Sequence, residues 1–136
     1  MCGIAGLVNL NGEPVSPVIL KRMTDAIAHR GTDGEGQWIE NNVGLGHRRL
    51  AIIDLSPAGH QPMAMANGRY VLTYNGEIYN FRELRAELET VGYQFRSNSD
   101  SEVVLCALTH WGTGALLKFN GMFALALWDR QEKTLL

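Results

Sequence analysis

The chain begins with the stretch Met1-Cys2-Gly3-Ile4-Ala5-Gly6-Leu7-Val8, and the rest of the sequence is best interpreted from it. The apolar run at residues 4–8 is followed by Asn9-Leu10-Asn11-Gly12, which is typical of a turn, so the run predicts a short buried strand. Cys2 stands directly after the initiator methionine, which aminopeptidases generally remove when a small residue follows. The mature chain would then begin at Cys2, and a core strand would hold its terminus in place.

A cysteine at an N-terminus carries a thiol and a free α-amine on one carbon. The thiol has a reference pKa of about 8.5 and the α-amine one of about 7.7 to 8.0, so some amine is neutral near pH 7.5. That amine can accept the thiol proton, directly or through one water. Cys2 is therefore a candidate nucleophile that brings its own base. The alternative is a small apolar residue at a frayed chain end.

The composition excludes several classes of function. The 136 residues include 12 Lys+Arg and 14 Asp+Glu, for a formal net charge of -2. The chain therefore lacks the excess of basic residues with which proteins bind nucleic acids and anionic membranes. The longest apolar stretch, residues 122–128, is far shorter than the roughly 20 residues of a membrane helix. Cys2 and Cys106 form no disulfide framework, and no Cys/His cluster offers a metal site. We expect a reducing, cytoplasmic location and no metal in this domain.

The spacing of apolar residues predicts helices that alternate irregularly with strands. Helices are expected to begin at Ser16-Pro17, Asn80 and Ser99, the last two with a glutamate three residues later. Strands are predicted at residues 4–8, 37–40, 43–53, 70–74, 93–95 and 122–128, with a loop at 54–65. This order favours a mixed, mainly antiparallel α+β domain over a doubly wound one. The sequence stops within a hairpin, so we expect the domain to be truncated at its C-terminus.

Two basic motifs each have a structural and a functional interpretation. His29-Arg30-Gly31 is typical of a helix end with Gly31 in the left-handed conformation, or it belongs to a loop that approaches a ligand or the Cys2 strand. Arg48 and Arg49 lie in a predicted strand and point to opposite faces. The arginine on the covered side needs an anionic partner, which a substrate carboxylate would supply. The alternative is two solvent-facing or salt-bridged arginines.

Two further motifs are equally open. Asn75-Gly76 favours a type I′ hairpin turn, but the Asn amide and the Gly N–H are also two neutral donors that suit an oxyanion. Ser99-Asp100 suits a helix N-terminus, but the carboxylate also suits a substrate ammonium group. We interpret three other side chains as structural, because no sequence neighbour suggests a catalytic dyad. They are His60, Cys106 and His110.

Five ordered motifs together resemble a known family. They are Met1-Cys2-Gly3-Ile4-Ala5-Gly6, His29-Arg30-Gly31-Thr32-Asp33, the run from Gly46 to Asp54, Asn75-Gly76-Glu77-Ile78-Tyr79-Asn80 and Ser99-Asp100-Ser101-Glu102. They closely resemble the glutaminase domain of class II glutamine amidotransferases. Gly59-His60-Gln61-Pro62-Met63 and the phrase Asn-Gly-Glu-Ile-Tyr-Asn-Phe look most like glutamine-hydrolysing asparagine synthetases. The family usually has proline where this chain has Thr32, which loosens that loop but removes no catalytic group.

The resemblance implies an N-terminal-nucleophile fold, a four-layer αββα sandwich with two antiparallel sheets, over residues 1–136. It also implies the site. Cys2 would be the nucleophile, and Asn75 and Gly76 the oxyanion hole. The substrate-binding residues would be Arg49 at the α-carboxylate, the backbone of Leu50, Ile52 or Ile53 nearby, and Glu77 and Asp100 at the α-ammonium group.

The resemblance further implies hydrolysis of free L-glutamine to glutamate and ammonia through a Cys2 thioester. The ammonia would serve an ATP-dependent synthetase domain that makes asparagine. That domain, with its ATP and Mg²⁺, is absent from this chain, which has neither a Ser-Gly-Gly nor a Gly-x-x-x-x-Gly-Lys phosphate loop. The alternatives are another acceptor, such as a sugar phosphate, and a non-catalytic glutamine-sensing module that retains Met1. The oligomeric state stays open, with a homodimer as one option.

Overall fold

The computed structural model describes residues 1–136 and has two antiparallel sheets enclosed by helices. The first sheet has the order β1-β3-β2, formed by β1 (Gly3–Val8), β2 (Gly34–Glu40) and β3 (Val43–Arg49). The second has the order β4-β5-β6-β7, formed by β4 (Met63–Ala64), β5 (Tyr70–Ile78), β6 (Gly121–Asp129) and β7 (Thr134–Leu135). Helix α1 (Pro17–Ala26) covers the first sheet, and α2 (Phe81–Thr90) and α3 (Asp100–Trp111) cover the second. The predicted αββα layering is confirmed.

The largest core lies between the second sheet and the two helices that cover it. Its buried side chains are Leu72, Tyr74, Ile78, Leu84, Leu88, Val103, Val104, Leu105, Cys106, Ala107, Leu108, Ala115 and Leu127. A smaller cluster of Val43, Leu45, Val71 and Trp128 fills the space between the sheets. Residues 71 and 73 of β5 face the first sheet, since the Thr73 hydroxyl donates to Gly46 O at 3.1 Å. Residues 72, 74 and 78 face the helices, as strand alternation requires.

Glycines on β3 allow α1 to pack closely on the first sheet. A Cβ on Gly46 would lie 2.4 Å from Thr24 Cγ2, and one on Gly44 would lie 3.1 Å from Leu20 Cδ2. Leu20 and Thr24 of α1 are fully buried at this contact. One helix of 10 residues therefore covers the three-stranded first sheet.

The predicted hairpin turn at Asn75-Gly76 is wrong. Strand β5 runs straight through both residues, with Asn75 opposite Ala124 and Gly76 opposite Phe123 of β6. A Cβ on Gly76 would lie 2.5 Å from Met122 O. The glycine is needed because the neighbouring backbone comes close, which is the other usual reason for glycine in a strand.

Three other local predictions are corrected. Strand β3 ends at Arg49, so the prediction that it reached residue 53 is wrong, and no strand forms at residues 93–95. Helix α1 ends at Ala26, a 3-10 turn follows at Ala28–Arg30, and Gly31 is extended at φ -148° rather than left-handed. Gly31 is required sterically, because a Cβ there would lie 2.4 Å from the carbonyl carbon of Arg48.

The predicted helix starts are confirmed, although their caps differ in detail. Ser99 Oγ accepts from Glu102 N at 3.4 Å, as a capping residue should. The Asn80 side chain makes no cap, and instead binds Lys118 O and Asn120 N at 2.9 Å each. His110 is exposed at the end of α3 and does not join its buried face. None of the helices has the length and apolar character needed to cross a membrane.

Candidate active site

A pocket opens where the ends of the two sheets meet the start of α3. One side, here named the β1–β3 wall, consists of Cys2 and residues 49–54. The opposite side, the β5–α3 wall, consists of Gln61, residues 74, 76 and 77, and residues 99–101. Met1, Gly59 and Met122 complete the lining.

The thiol of Cys2 is positioned by the backbone of Leu50. The Leu50 N–H donates to Cys2 Sγ at 3.3 Å, and the thiol lies 3.5 Å from Leu50 O. Arg30 Nε donates to Cys2 O at 3.0 Å, which fixes the start of β1. The main chain of Leu50 therefore holds the sulfur in place at the pocket. With Met1 present, the nitrogen of Cys2 is a peptide nitrogen.

Asp33 holds the loop that carries Leu50. Its N–H donates to Arg49 O at 2.9 Å, and its carboxylate accepts from Ala51 N at 2.8 Å. Both neighbours of Leu50 are thus attached to one residue. The Leu50 N–H is therefore held in its orientation toward the sulfur, although Leu50 lies beyond the end of β3 at Arg49.

The two adjacent arginines have different partners. Arg48 binds Glu35 at 2.7 Å and also Asp25, so its anionic partners belong to the protein. Arg49 donates to the carbonyls of Ser56, at 2.9 Å, and Asp54. Because a guanidinium has five N–H donors, Arg49 retains donors for a ligand in the pocket. A Cβ on Gly59 would lie 2.4 Å from Arg49 Nη2, so that glycine leaves room for the side chain.

Asp100 is a buried carboxylate at the start of α3. It is 5% exposed, and its Oδ2 accepts from Tyr74 Oη at 2.8 Å and from Ile78 N at 3.1 Å. Burial raises the pKa of Asp100 above its ordinary value, while the bonds from Tyr74 and Ile78 oppose that rise. A cationic ligand group would favour the ionised carboxylate further.

Gln61 and His47 fix the backbone of β5 beside Asp100. Gln61 Oε1 accepts from Tyr74 N at 2.6 Å, and its Nε2 donates to Ser101 Oγ at 3.2 Å. His47 is fully buried, and its Nε2 lies 3.1 Å from Tyr74 O. Since a carbonyl only accepts, this nitrogen carries the proton. Burial lowers the pKa of His47 to about 4, so the imidazole is neutral.

The structure brings together most of the residues that the sequence predicts for the site. The pocket is lined by Cys2, Arg49, Leu50, Ile52, Ile53, Gly76, Glu77 and Asp100. Asn75 is not part of this lining and, by strand alternation, faces the first sheet as Thr73 does. The Asn75 Oδ1 is buried and has no hydrogen-bond partner. The Asn75 Nδ2 is not a buried atom without a partner.

Four residues of the site were not singled out from the sequence. They are Asp33, His47, Gln61 and Tyr74. Each lies inside or next to a motif that carries the family resemblance, but no local pattern indicates which element it reaches. No group of three His, Cys, Asp or Glu side chains is placed to hold a metal ion.

Comparisons with known proteins identify the family of this chain. A family model for glutamine amidotransferase domains matches residues 1–136. The glutamine-hydrolysing asparagine synthetase 1 of Bacillus subtilis (strain 168) is 40% identical over 140 residues, which cover 99% of this chain and 22% of that protein. Amidase chry2 of Gibberella zeae is 38% identical over 148 residues, which cover 100% of this chain and 22% of that protein. The chain therefore spans roughly a fifth of the length of these two relatives.

A solved structure shows the same fold. It is the glutamine phosphoribosylpyrophosphate amidotransferase from B. subtilis complexed with ADP and GMP, with a TM-score of 0.76 and 20% identity, over 93% of this chain and 35% of that one. Because the family match extends over the whole chain and the fold agrees, this chain belongs to the glutamine amidotransferase domain family, whose members are enzymes with an N-terminal-nucleophile fold.

Proposed function

We propose that this domain hydrolyses the side-chain amide of free L-glutamine, with the Cys2 thiol as nucleophile, and delivers the ammonia to an acceptor. One observation carries the proposal. Cys2 Sγ lies 3.3 Å from the Leu50 N–H on one wall of a pocket that is also lined by Arg49 and Asp100. A thiol, a cation and a carboxylate in one pocket match the amide, the α-carboxylate and the α-ammonium group of a free amino acid.

The charged groups explain the choice of substrate. Arg49 binds the α-carboxylate with the donors that Ser56 and Asp54 leave free, and the backbone of Leu50, Ile52 or Ile53 lies alongside. Asp100 and Glu77 bind the α-ammonium group. A glutamine residue within a protein has neither group, so it would not be held. Fixing both ends also presents the amide to the thiol, and such orientation contributes much of a catalytic effect.

The reaction then follows from Cys2 and the residues of β5 across the pocket. The α-amine of Cys2 takes the thiol proton, and the thiolate attacks the amide carbon. The amide oxygen takes up the negative charge, which Gly76 in the pocket stabilises together with Asn75, the next residue on β5, whose side chain lies outside the pocket lining and would have to turn its Nδ2 toward the oxyanion. The C–N bond breaks, and the protonated α-amine of Cys2 gives its proton to the leaving ammonia. Water, deprotonated by the same amine, attacks the thioester and releases glutamate and the thiol.

The mechanism requires a free α-amine and therefore removal of Met1. Met1 lines the pocket next to Cys2, so its removal both exposes the amine and enlarges the space beside the sulfur. The intact mass of the purified protein measures this step. A protein that keeps Met1 and releases no glutamate would support the glutamine-sensing alternative instead.

Glutamate release with the two cysteines changed in turn tests the proposal. We expect Cys2→Ala to abolish release, since no other group at that position is a nucleophile. Cys106→Ala is the matched control, because Cys106 is buried in the main core away from the pocket. It should lower stability and leave the rate of the folded protein unchanged. Unchanged turnover in Cys2→Ala would overturn the proposal.

The acceptor is proposed from the relatives. The name of the Bacillus subtilis protein, an asparagine synthetase, favours asparagine synthesis as the use of the ammonia. The ATP and Mg²⁺ that such a synthetase domain would bind are what the family resemblance implies. The name of the Gibberella zeae protein leaves room for another acceptor. Incubating this domain joined to the synthetase domain that we expect to follow it with glutamine, ATP, Mg²⁺ and either aspartate or a sugar phosphate distinguishes them. Asparagine formed only with aspartate supports the synthetase. A homodimer and a cytoplasmic location stay predictions.

A further inference from the structure

Each polar group of Tyr74 is bound by a different element around the pocket. Its N–H donates to Gln61 Oε1 at 2.6 Å, and its carbonyl accepts from His47 Nε2 at 3.1 Å. Its hydroxyl donates to Asp100 Oδ2 at 2.8 Å. The side chain is 2% exposed. Tyr74 therefore connects β3, the loop before β4 and the start of α3 at one point of the second sheet.

The hydroxyl of Tyr74 determines how the Asp100 carboxylate is presented. Tyr74 Oη and Ile78 N both donate to Oδ2. The other oxygen, Oδ1, receives no hydrogen bond from another side chain, although the backbone N–H groups of Asp100 and Ser101 lie near the carboxylate, and Asp100 lines the pocket. Two donors on one oxygen fix the rotation of the carboxylate, and the second oxygen stays available to a ligand cation.

The hydroxyl is suited to this task because it remains a donor. Burial, together with the neighbouring Asp100 charge, raises the pKa of Tyr74 well above its ordinary value, so the phenol keeps its proton. A donor on a carboxylate favours the ionised form that an ammonium group requires.

We propose that Tyr74 is a positioning residue that sets the affinity of the site for the α-ammonium group of its substrate by orienting Asp100. The inference rests on the proposed function, in that glutamine is taken as the ligand. It assigns to Tyr74 a role in selecting α-amino acids over amides that have no amino group.

The competing explanation is that Tyr74 only fills the core. Its ring belongs to the main apolar cluster with Leu72 and Ile78. Phenylalanine would keep that packing and remove only the hydroxyl, so Tyr74→Phe separates the two roles. A packing role predicts no dependence on the ligand's amino group.

The test measures binding by calorimetry in a Cys2→Ala background, which cannot turn over. The two ligands are L-glutamine and 4-carbamoylbutanoate, which is glutamine without its α-amino group. We expect Tyr74→Phe to weaken glutamine binding about tenfold, because a hydrogen bond to a charged group is lost. The affinity for 4-carbamoylbutanoate should change less than about twofold. An equal change for both ligands, or none for glutamine, would overturn the inference.

A double-mutant cycle with Asp100→Asn keeps the test independent of general damage to the fold. Tyr74 acts through Asp100, so Tyr74→Phe should have almost no further effect on glutamine binding once Asp100→Asn is present. A full tenfold effect in that background would contradict the mechanism. Tyr93→Phe is the matched control, since it removes a hydroxyl from a tyrosine that packs on the same core but lies outside this pocket.

Hydrolysis measured in parallel separates this inference from the proposed function. A protein that binds glutamine, shows the Tyr74→Phe effect and releases no glutamate would overturn the proposed hydrolysis alone. A protein that releases glutamate, and whose affinity for glutamine Tyr74→Phe does not change, would overturn the role of Tyr74 alone.

Discussion

The two walls of the pocket differ in how they are held and in how far they are buried. On the β1–β3 wall, Cys2 is half-buried, Ile52 is 65% exposed, and the contacts to the sulfur come from the main chain of Leu50. On the β5–α3 wall, Gln61 and Asp100 are at most 5% exposed and are held by side-chain hydrogen bonds.

Because of this difference, substitutions on the β1–β3 wall should mainly affect activity, and those at buried positions of the β5–α3 wall should also affect stability. A group on the β1–β3 wall can be removed and replaced by water, so its loss affects the reaction more than the fold. Loss of a buried side chain on the β5–α3 wall, such as Gln61 or Asp100, leaves a buried donor or acceptor without a partner, and that penalty is about 1–3 kcal/mol. Substrate binding and folding are therefore coupled on one side of the pocket only.

The largest expected effect tests whether a β5 side chain can act in the reaction without supporting the fold. Asn75→Ala should lower kcat by about 10² to 10³, as expected for loss of an oxyanion donor. The free energy of unfolding should change by less than about 1 kcal/mol, because Asn75 Oδ1 has no partner to lose. Glutamate release and denaturant unfolding measure the two quantities. A loss of stability with kcat retained would assign Asn75 a structural role.

The second prediction places methionine at Gln61 of the β5–α3 wall and at Arg30, which lies behind the β1–β3 wall and binds the backbone of Cys2. Gln61→Met should lower the free energy of unfolding by about 1–3 kcal/mol, since the Tyr74 N–H and Ser101 Oγ lose their partner. Arg30→Met removes the bond to Cys2 O at an exposed position and should change it by less than about 0.5 kcal/mol. Equal losses in urea unfolding would show that the two walls do not differ.

His47 predicts how stability depends on pH. Its pKa is lowered to about 4 from 6.5, so between these values the unfolded chain binds a proton that the folded protein does not. Stability from this residue is complete above pH 6.5 and falls as the pH decreases toward 4, by about 2 kcal/mol at pH 5.

The His47→Gln variant should lose this part of the pH dependence when unfolding is measured from pH 7 to pH 5. The exposed His110 provides the control, and His110→Gln should keep the slope of the unchanged protein. An identical slope in the two variants would show that His47 does not titrate in this way.

The sequence predicts features whose cause is local. The cap of α3 follows from Ser99 and Glu102 three residues apart, and the structure confirms it. Cys2 is noticed because of its place in the chain. Asn75-Gly76 misleads for the opposite reason, since its glycine is required by Met122 on β6 and not by its own turn.

The buried network of the β5–α3 wall has no local signal. Tyr74 meets Gln61, His47 and Asp100 across 13, 27 and 26 positions respectively. The spacing of residues along a chain does not encode which distant side chains meet once the sheets pack. The resemblance places these residues within motifs, but only the fold gives them partners.

The smallest expected effect concerns the loop behind the β1–β3 wall, at Thr32. Gly31 is extended, with φ -148° and ψ 105°, so it avoids the helical conformation that a following proline disfavours. The Thr32 N–H donates no hydrogen bond, so proline removes none there. Thr32→Pro should therefore raise the free energy of unfolding by about 0.4–1 kcal/mol, through the smaller freedom of the unfolded chain. Glutamate release should stay within about twofold, because Asp33 keeps its bonds to Arg49 and Ala51. A loss of activity with raised stability would mean that the function of the β1–β3 wall depends on the mobility of this loop. The two walls would then differ in mobility as well as in burial.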